Sequence, residues 1–246
     1  MQPGATVAEL ARRYRLKRMA QRLLRPNGDA VIVASIGRSG STLVYDAIAR
    51  ALAAAQPVQI PGVTVRAVRD VAWDLSAARF RRGICYKTHD LPSALQPRPH
   101  LRAVFLFGSA YDAALSVHRA ETTRGPAWVA AHLRHLNAPG PAQDLLHADV
   151  LGIAAQVNAW ARCTQIPTLC LRYETLWQHA NTLSTFCGLP VHLPPQRARA
   201  LKAVPADLQA QAHRTYDPID HDLAGLPDGF VAGSIQKSSV SMPMLS

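Results

Sequence analysis

The sequence predicts an α/β domain, a mostly parallel central sheet with helices on both faces, built as a single unit. Three observations lead there. The β-branched run Ala30 to Ala34 is of the kind that fills a buried parallel strand, and the following segment, Leu43 to Leu52, carries apolar residues at 44, 47, 48, 51 and 52, one face of a helix. The same succession of apolar run and helical pattern returns at 101–107 with 111–119 and at 166–174 with 175–187. With 246 residues, 48% of them hydrophobic, the chain is long enough to bury a full core and fits one domain better than two.

Composition narrows the classes of function. No apolar run approaches the span of a bilayer, so stable membrane insertion is not predicted. The N-terminus lacks the apolar stretch of a secretory signal, which predicts a cytoplasmic protein. Cys85, Cys163, Cys170 and Cys187 have neither C-x-x-C spacing nor histidines at metal-ligand intervals, and read as reduced, buried thiols rather than a metal site. Lys and Arg number 27 against 16 Asp and Glu, a formal charge of +11, so an anionic partner is expected. A phosphorylated nucleotide, nucleic acid and an acidic membrane surface all meet that description. At 6% aromatic residues, with no basic cluster alternating with aromatics, nucleic acid is the weakest of the three. A phosphorylated nucleotide and an acidic membrane surface both stay open on composition, and a homodimer is compatible with the sequence.

Taken in order, residues 5–25 read as a basic amphipathic helix ended by Pro26-Asn27-Gly28, with Arg12, Arg13, Arg15, Lys17, Arg18 and Arg22 between its apolar positions. Such a helix can dock on a membrane or a partner, or simply be the first helix of a domain with a solvated face; residues 1–27 are assigned the latter role. Residues 53–61 read as a linker, 63–68 as a short extended piece, 73–80 as a helix and 83–89 as a second strand. Leu101 to Phe107 is a third strand leading into a helix near Tyr111-Asp112. The stretch 120–152, broken by Gly125-Pro126 and Pro139-Gly140-Pro141, reads as an irregular flap. Residues 153–163 form a helix, 166–174 a fourth strand and 175–187 a helix ended by Gly188-Leu189-Pro190. The domain is drawn as 28–237, followed by a disordered tail from 238 to 246.

The chemistry concentrates where the first strand meets its helix, in Ala34-Ser35-Ile36-Gly37-Arg38-Ser39-Gly40-Ser41-Thr42. Two glycines, several hydroxyls and one arginine let backbone N–H groups close on an anion at a helix N-terminus, where the dipole also favours negative charge. A Walker A loop does not fit: Ser35 stands where its first glycine would be and Ser41 where its lysine would be. The segment G-R-S-G-S-T instead resembles the 5′-phosphosulfate loop of sulfotransferases that use 3′-phosphoadenosine 5′-phosphosulfate (PAPS). The resemblance implies a P-loop-like fold and donor contacts from Gly37, Arg38, Ser39, Gly40, Ser41 and Thr42.

Lys87-Thr88-His89 at the end of the second strand resembles the K-T-H segment of cytosolic and bacterial sulfotransferases, in which the histidine is the general base and the lysine approaches the transferring group. The chemistry explains both. An acceptor hydroxyl must lose its proton as the sulfur–oxygen bond forms, and charge grows on the departing oxygen, where Lys87 and Arg38 would stabilise it. Strand alternation puts Lys87 and His89 on one face. The resemblance thus implies His89, Lys87 and Arg38 as catalytic residues, PAPS as donor, a small-molecule acceptor substrate as partner, no metal, and the flap as the cover of the acceptor pocket.

After the third strand the family carries Arg-x-Pro-x-Asp-x-x-x-Ser, whose Arg and Ser hold the 3′-phosphate. Here Asp112 and Ser116 keep the spacing, but Gly108 replaces the arginine and Ala110 the proline. A phosphate contact worth about 1.5–3 kcal/mol is thereby missing. Either Arg119, Arg102 or a later arginine replaces it, or the donor lacks a 3′-phosphate, or donor binding is weak. Tyr173-Glu174 resembles the family's Y-E segment, in which Tyr lies near the nucleotide. Beyond Pro194 the resemblance thins, with His213, Arg214 and Lys237 as the nearest cations. Two other readings share the cradle: a nucleoside-triphosphate phosphotransferase and a non-catalytic nucleotide-binding protein.

Overall fold

The structure, a computed structural model, describes residues 6–196 and 204–234. Six strands form one sheet: β1 (Ala30–Ser35), β2 (Arg69–Val71), β3 (Cys85–Lys87), β4 (Leu101–Phe107), β5 (Thr168–Arg172) and β6 (Gly229–Val231), in the order β2-β3-β1-β4-β5-β6. The first five run parallel and β6 pairs antiparallel with β5. Eight helices accompany them: α1 (Val7–Leu24), α2 (Ser41–Ala54), α3 (Val63–Ala67), α4 (Ala110–Arg124), α5 (Pro126–His135), α6 (Ile153–Ala161), α7 (Ala180–Cys187) and α8 (Ala206–Ala224).

The two-residue period of the strands divides the core. Ala30, Ile32 and Ala34 of β1, with Ala103, Phe105 and Phe107 of β4, face α4, α5, α6 and α8. Val31, Val33, Val104 and Leu106 face α2 and α7. Both faces of the inner strands are thus buried, which is why these strands read as continuous apolar runs rather than alternating ones. All four cysteines are buried and unpaired. Among the described residues no helix is long and apolar enough to cross a membrane.

Four segments differ from the sequence reading. Residues 63–68, β-branched and read as extended, are mostly helix α3, which starts after Gly62 at φ +70° and buries Thr64 and Ala67; the strand is the next segment, β2. Residues 73–80 are not a helix. The Asp74 carboxylate accepts the N–H groups of Ser76 and Ala77 and the Ser76 hydroxyl, so the chain turns on that side chain instead. The first half of the flap is helical, since α4 runs on to Arg124 and α5 fills Pro126–His135 with Gly125 at φ +83° as the joint, while 136–152 is irregular apart from a short 3₁₀ turn at Ala142–Asp144. Gly-Pro reads as a breaker, yet proline at the first position of a helix surrenders only an N–H that has no partner there. Finally, α8 and β6 occupy a region for which the sequence reading assigned no elements. Lys237 and the 238–246 tail lie outside the described residues.

β1 lies between β3 and β4, so the chain leaves it toward one edge of the sheet and later returns to build the other. The carboxyl ends of β1, β3 and β4 flank that switch point, the position where open α/β sheets place their ligands.

Candidate active site

Above those strand ends lies a cavity of about 1000 Å³. The β1–α2 loop supplies Arg38 and Gly40, the first turn of α2 Ser41 and Thr42, the end of β3 Lys87 with His89 just beyond it, and α4 Ser116, Arg119 and Arg124. Three separated pieces of chain, the loop, K-T-H and the D-x-x-x-S segment, thus meet in one place. Gly37 and Ser39 do not line the cavity. Ser39 is buried and its hydroxyl donates to the Leu106 carbonyl at 3.0 Å, which ties the loop to β4.

The loop is held in an unusual backbone shape. Gly37, Arg38 and Gly40 all have positive φ, at +80°, +55° and +77°. Gly40 is the N-cap of α2 with no side-chain cap, so the first N–H groups of a 14-residue helix face the cavity without a protein acceptor of the capping kind. A Cβ at Gly40 would stand 2.4 Å from the Tyr173 ring, so only glycine fits between that ring and the loop. The Arg38 Nε donates to Ser116 Oγ at 2.8 Å, and the guanidinium lies 5.8 Å over the Trp128 ring. This bond links the loop to α4 directly.

The neighbouring helix N-terminus differs. At α4, Ser109 N–H donates to Glu174, Ala110 and Tyr111 N–H donate to Asp220 at 2.6 and 3.2 Å, and Asp112 N–H donates to Ser109 Oγ. Protein carboxylates already occupy it. The Glu174 carboxylate lies against Gly108, where an added Cβ would come within 2.8 Å of Glu174 Oε1. Side chains thus fill the capping positions of α4 and leave those of α2 without a side-chain acceptor. Of the cations that could replace the missing arginine, Arg102 is bound to Asp29 and the Phe186 carbonyl at the opposite end of β4, and Arg214 is engaged with Gln211 on the exposed side of α8. Arg119 and Arg124 line the cavity.

Lys87 Nζ donates to Thr42 Oγ1 at 2.7 Å, joining the β3 end to the first turn of α2. Burial lowers its pKa and the nearby Arg38 adds to this, opposed by the Asp46 carboxylate. His89 is buried, with Nδ1 3.0 Å from the Ser35 carbonyl and 3.1 Å from Ser35 Oγ. A carbonyl only accepts, so Nδ1 carries the hydrogen and Nε2 is the basic nitrogen. Burial pushes the His89 pKa down to about 4, with Lys87 and His135 adding to the shift against the bond to Ser35. At neutral pH the ring is uncharged.

Around this histidine stand aromatic and imidazole rings to which the sequence reading gave no role of their own, His132 and His135 counting there only toward the basic content of the flap. Trp73 stacks on His135 at 4.2 Å and on His89 at 5.6 Å, and Trp128 stacks on His132 at 4.9 Å. His132 is buried, its Nε2 lacks a partner, and burial with the charge of neighbouring His89 and Arg38 takes its pKa to about 3. That nitrogen would be 3.0 Å from a Cβ at Gly37, so it abuts the loop itself. The available signal was spacing: His132 and His135 lie three apart on α5, one turn of helix, with Trp128 four residues earlier on the same face.

The chain matches no model of a known protein family and no curated protein. What the fold and site define is an α/β protein with a cavity lined by Arg38, Lys87, Arg119 and Arg124 at the switch point of its sheet. Among the described residues no group of three or more His, Cys, Asp or Glu is placed to hold a metal ion.

Proposed function

We propose that the protein transfers a sulfuryl group from PAPS to a hydroxyl or amine of a small acceptor. The observation that carries this reading is the meeting, in one cavity, of an uncapped helix N-terminus, Arg38, Lys87 and an uncharged His89 whose Nδ1 is anchored to the Ser35 carbonyl. A bound donor supplies a sulfur whose bond to the nucleotide's phosphate oxygen breaks as the acceptor oxygen or nitrogen bonds to it. The chain's own groups do the rest. The N–H groups of the α2 terminus and Arg38 hold the 5′ end, and Lys87 stabilises the charge that grows on the leaving oxygen. His89 Nε2 takes the acceptor proton.

In the protein alone a pKa of about 4 makes His89 a weak base. The negative charge of a bound donor favours the protonated ring and so raises its pKa against the burial that lowers it. The test is transfer of labelled sulfur from PAPS to a panel of phenols, alcohols and amines. His89→Ala is expected to lower turnover by about 10²–10⁴-fold while adenosine 3′,5′-bisphosphate still raises the melting temperature as in the parent. Equal turnover in parent and variant would overturn the assignment of the base.

A specific contact favours a second reading of the donor. The Glu174 carboxylate occupies the space beside Gly108, which repels a phosphate from that position, so a donor without a 3′-phosphate, including a nucleoside triphosphate for phosphoryl transfer, also fits. Melting shifts with AMP and with adenosine 3′,5′-bisphosphate separate the two. A larger shift with the bisphosphate supports PAPS, with Arg119 and Arg124 as the 3′-phosphate contacts. Equal shifts support the second reading.

A further inference from the structure

Beside β2, whose Val71 also lines the cavity, lies a groove of about 910 Å³ between α1 and the α2–α3 connection. Helix α1 is anchored through few residues. Leu24 is buried, Gln21 donates to the Ala67 carbonyl at 2.8 Å, and Lys17 pairs with Asp70 at 2.7 Å. The remaining apolar stripe faces water. Leu16, Met19 and Leu23 follow one another at i, i+3 and i+7 on one face of the helix, and Leu23 is 74% exposed. Ile60 and Val63, also exposed, extend the same apolar surface from the next elements.

The charge around this surface is mainly positive. Arg15 and Arg22 run along one flank of the stripe, Arg12 stands one turn before Leu16, Arg66 lines the groove, and all four are exposed. The acids nearby are Glu9 in the first turn of α1, Asp70, which is held by Lys17 and Arg81, and Asp46 of α2, which is paired with Arg69. A second copy of the chain is a poor occupant, because a twofold interface would set each arginine row against its own image. An anionic bilayer surface suits the arrangement: leucine and methionine enter the acyl boundary while long arginine stems keep their heads at the level of the phosphates.

We propose that the α1 face formed by Leu16, Met19 and Leu23, flanked by Arg12, Arg15 and Arg22, docks the protein peripherally on anionic membrane surfaces. Binding is weak per residue and needs both components, the apolar stripe for entry and the arginines for attraction. The proposal is independent of the reaction carried out in the cavity.

The test is co-sedimentation of the full chain with vesicles of phosphatidylcholine and phosphatidylglycerol, and with vesicles of phosphatidylcholine alone. The parent is expected to bind the anionic vesicles and not the neutral ones, and added salt is expected to weaken binding. Each Arg→Gln change at 12, 15 or 22 is expected to lower affinity roughly fivefold. The decisive variant is Leu16→Ser with Leu23→Ser, which leaves the charge unchanged. It is expected to lower affinity about tenfold or more with an unchanged melting temperature, both positions being exposed. Unchanged binding by that variant would mean adsorption by net charge alone and overturn the proposal, as would absence of binding to either vesicle. Light scattering covers the remaining occupant: a parent dimer that the double serine variant dissociates would identify the face as a self-interface and also overturn it.

Discussion

Arg38 holds a left-handed backbone, φ +55°, that costs a side-chain-bearing residue about 1–2 kcal/mol. Its surroundings maintain it: Gly37 before it, Gly40 after it, the Nε bond to Ser116 and the Trp128 face. The strain fixes the guanidinium at the mouth of the α2 terminus. Arg38→Lys keeps the charge but loses both the planar fork and the bond to Ser116. It is expected to weaken adenosine 3′,5′-bisphosphate binding about tenfold by calorimetry with little change in melting temperature. Gly40→Ala should be harsher, because the backbone angle and the Tyr173 ring at 2.4 Å both oppose a methyl group. A loss of at least ~1 kcal/mol in denaturant unfolding, together with lost nucleotide binding, is the expected result. These loop residues were legible because glycine, arginine and hydroxyls in that order are a local pattern with a local cause. His132, Trp73 and Trp128 were not, because their roles arise only when α5 and the turn after β2 fold over the strand ends.

At the scale of the element, α2 and α4 begin in similar places and are finished differently. The carboxylate of Asp220, from α8, accepts from Ser109 Oγ and from two backbone N–H groups of α4. Asp220→Ala is expected to cost about 2 kcal/mol in denaturant unfolding, since it leaves those donors unsatisfied. A change below a few tenths of a kcal/mol would show that water replaces the carboxylate freely. This contact also explains why α8 was missed. The helix carries Pro218 in its interior and a low apolar content, buries chiefly Ala212, Tyr216 and Leu223, and is held by contacts to α4 and to the Leu145 and Ala148 carbonyls through the Tyr216 hydroxyl. The strands were read more easily, because apolar runs buried on both faces need no partner to be recognised. The turn at Asp74 shows the opposite case, in which one side chain overrides a helical pattern.

For the whole molecule, the buried imidazoles set the response to acid. His89 and His132 titrate near 4 and 3 in the folded chain and near 6.5 when unfolded. Between those values the unfolded state binds more protons, so stability is complete above about pH 6.5 and falls as the pH drops toward 4. Each histidine contributes up to an amount on the order of 3 kcal/mol. The melting temperature is expected to fall from about pH 7 to about pH 5, and His132→Asn is expected to flatten that slope. A melting temperature independent of pH over this range would contradict the burial of both rings. The α/β class and the parallel sheet followed from the alternation of patterns along the chain, whereas the antiparallel β6 edge depends on a return from α8 that no local signal announces.

The four thiols lie within the folded interior, and burial pushes those of Cys85, Cys170 and Cys187 up, away from the reactive anion. Alkylating reagents therefore find them only when the domain opens. Iodoacetamide labelling of the native chain should be as slow as its global opening, so the mass gained over time becomes a clock for unfolding that requires no added probe.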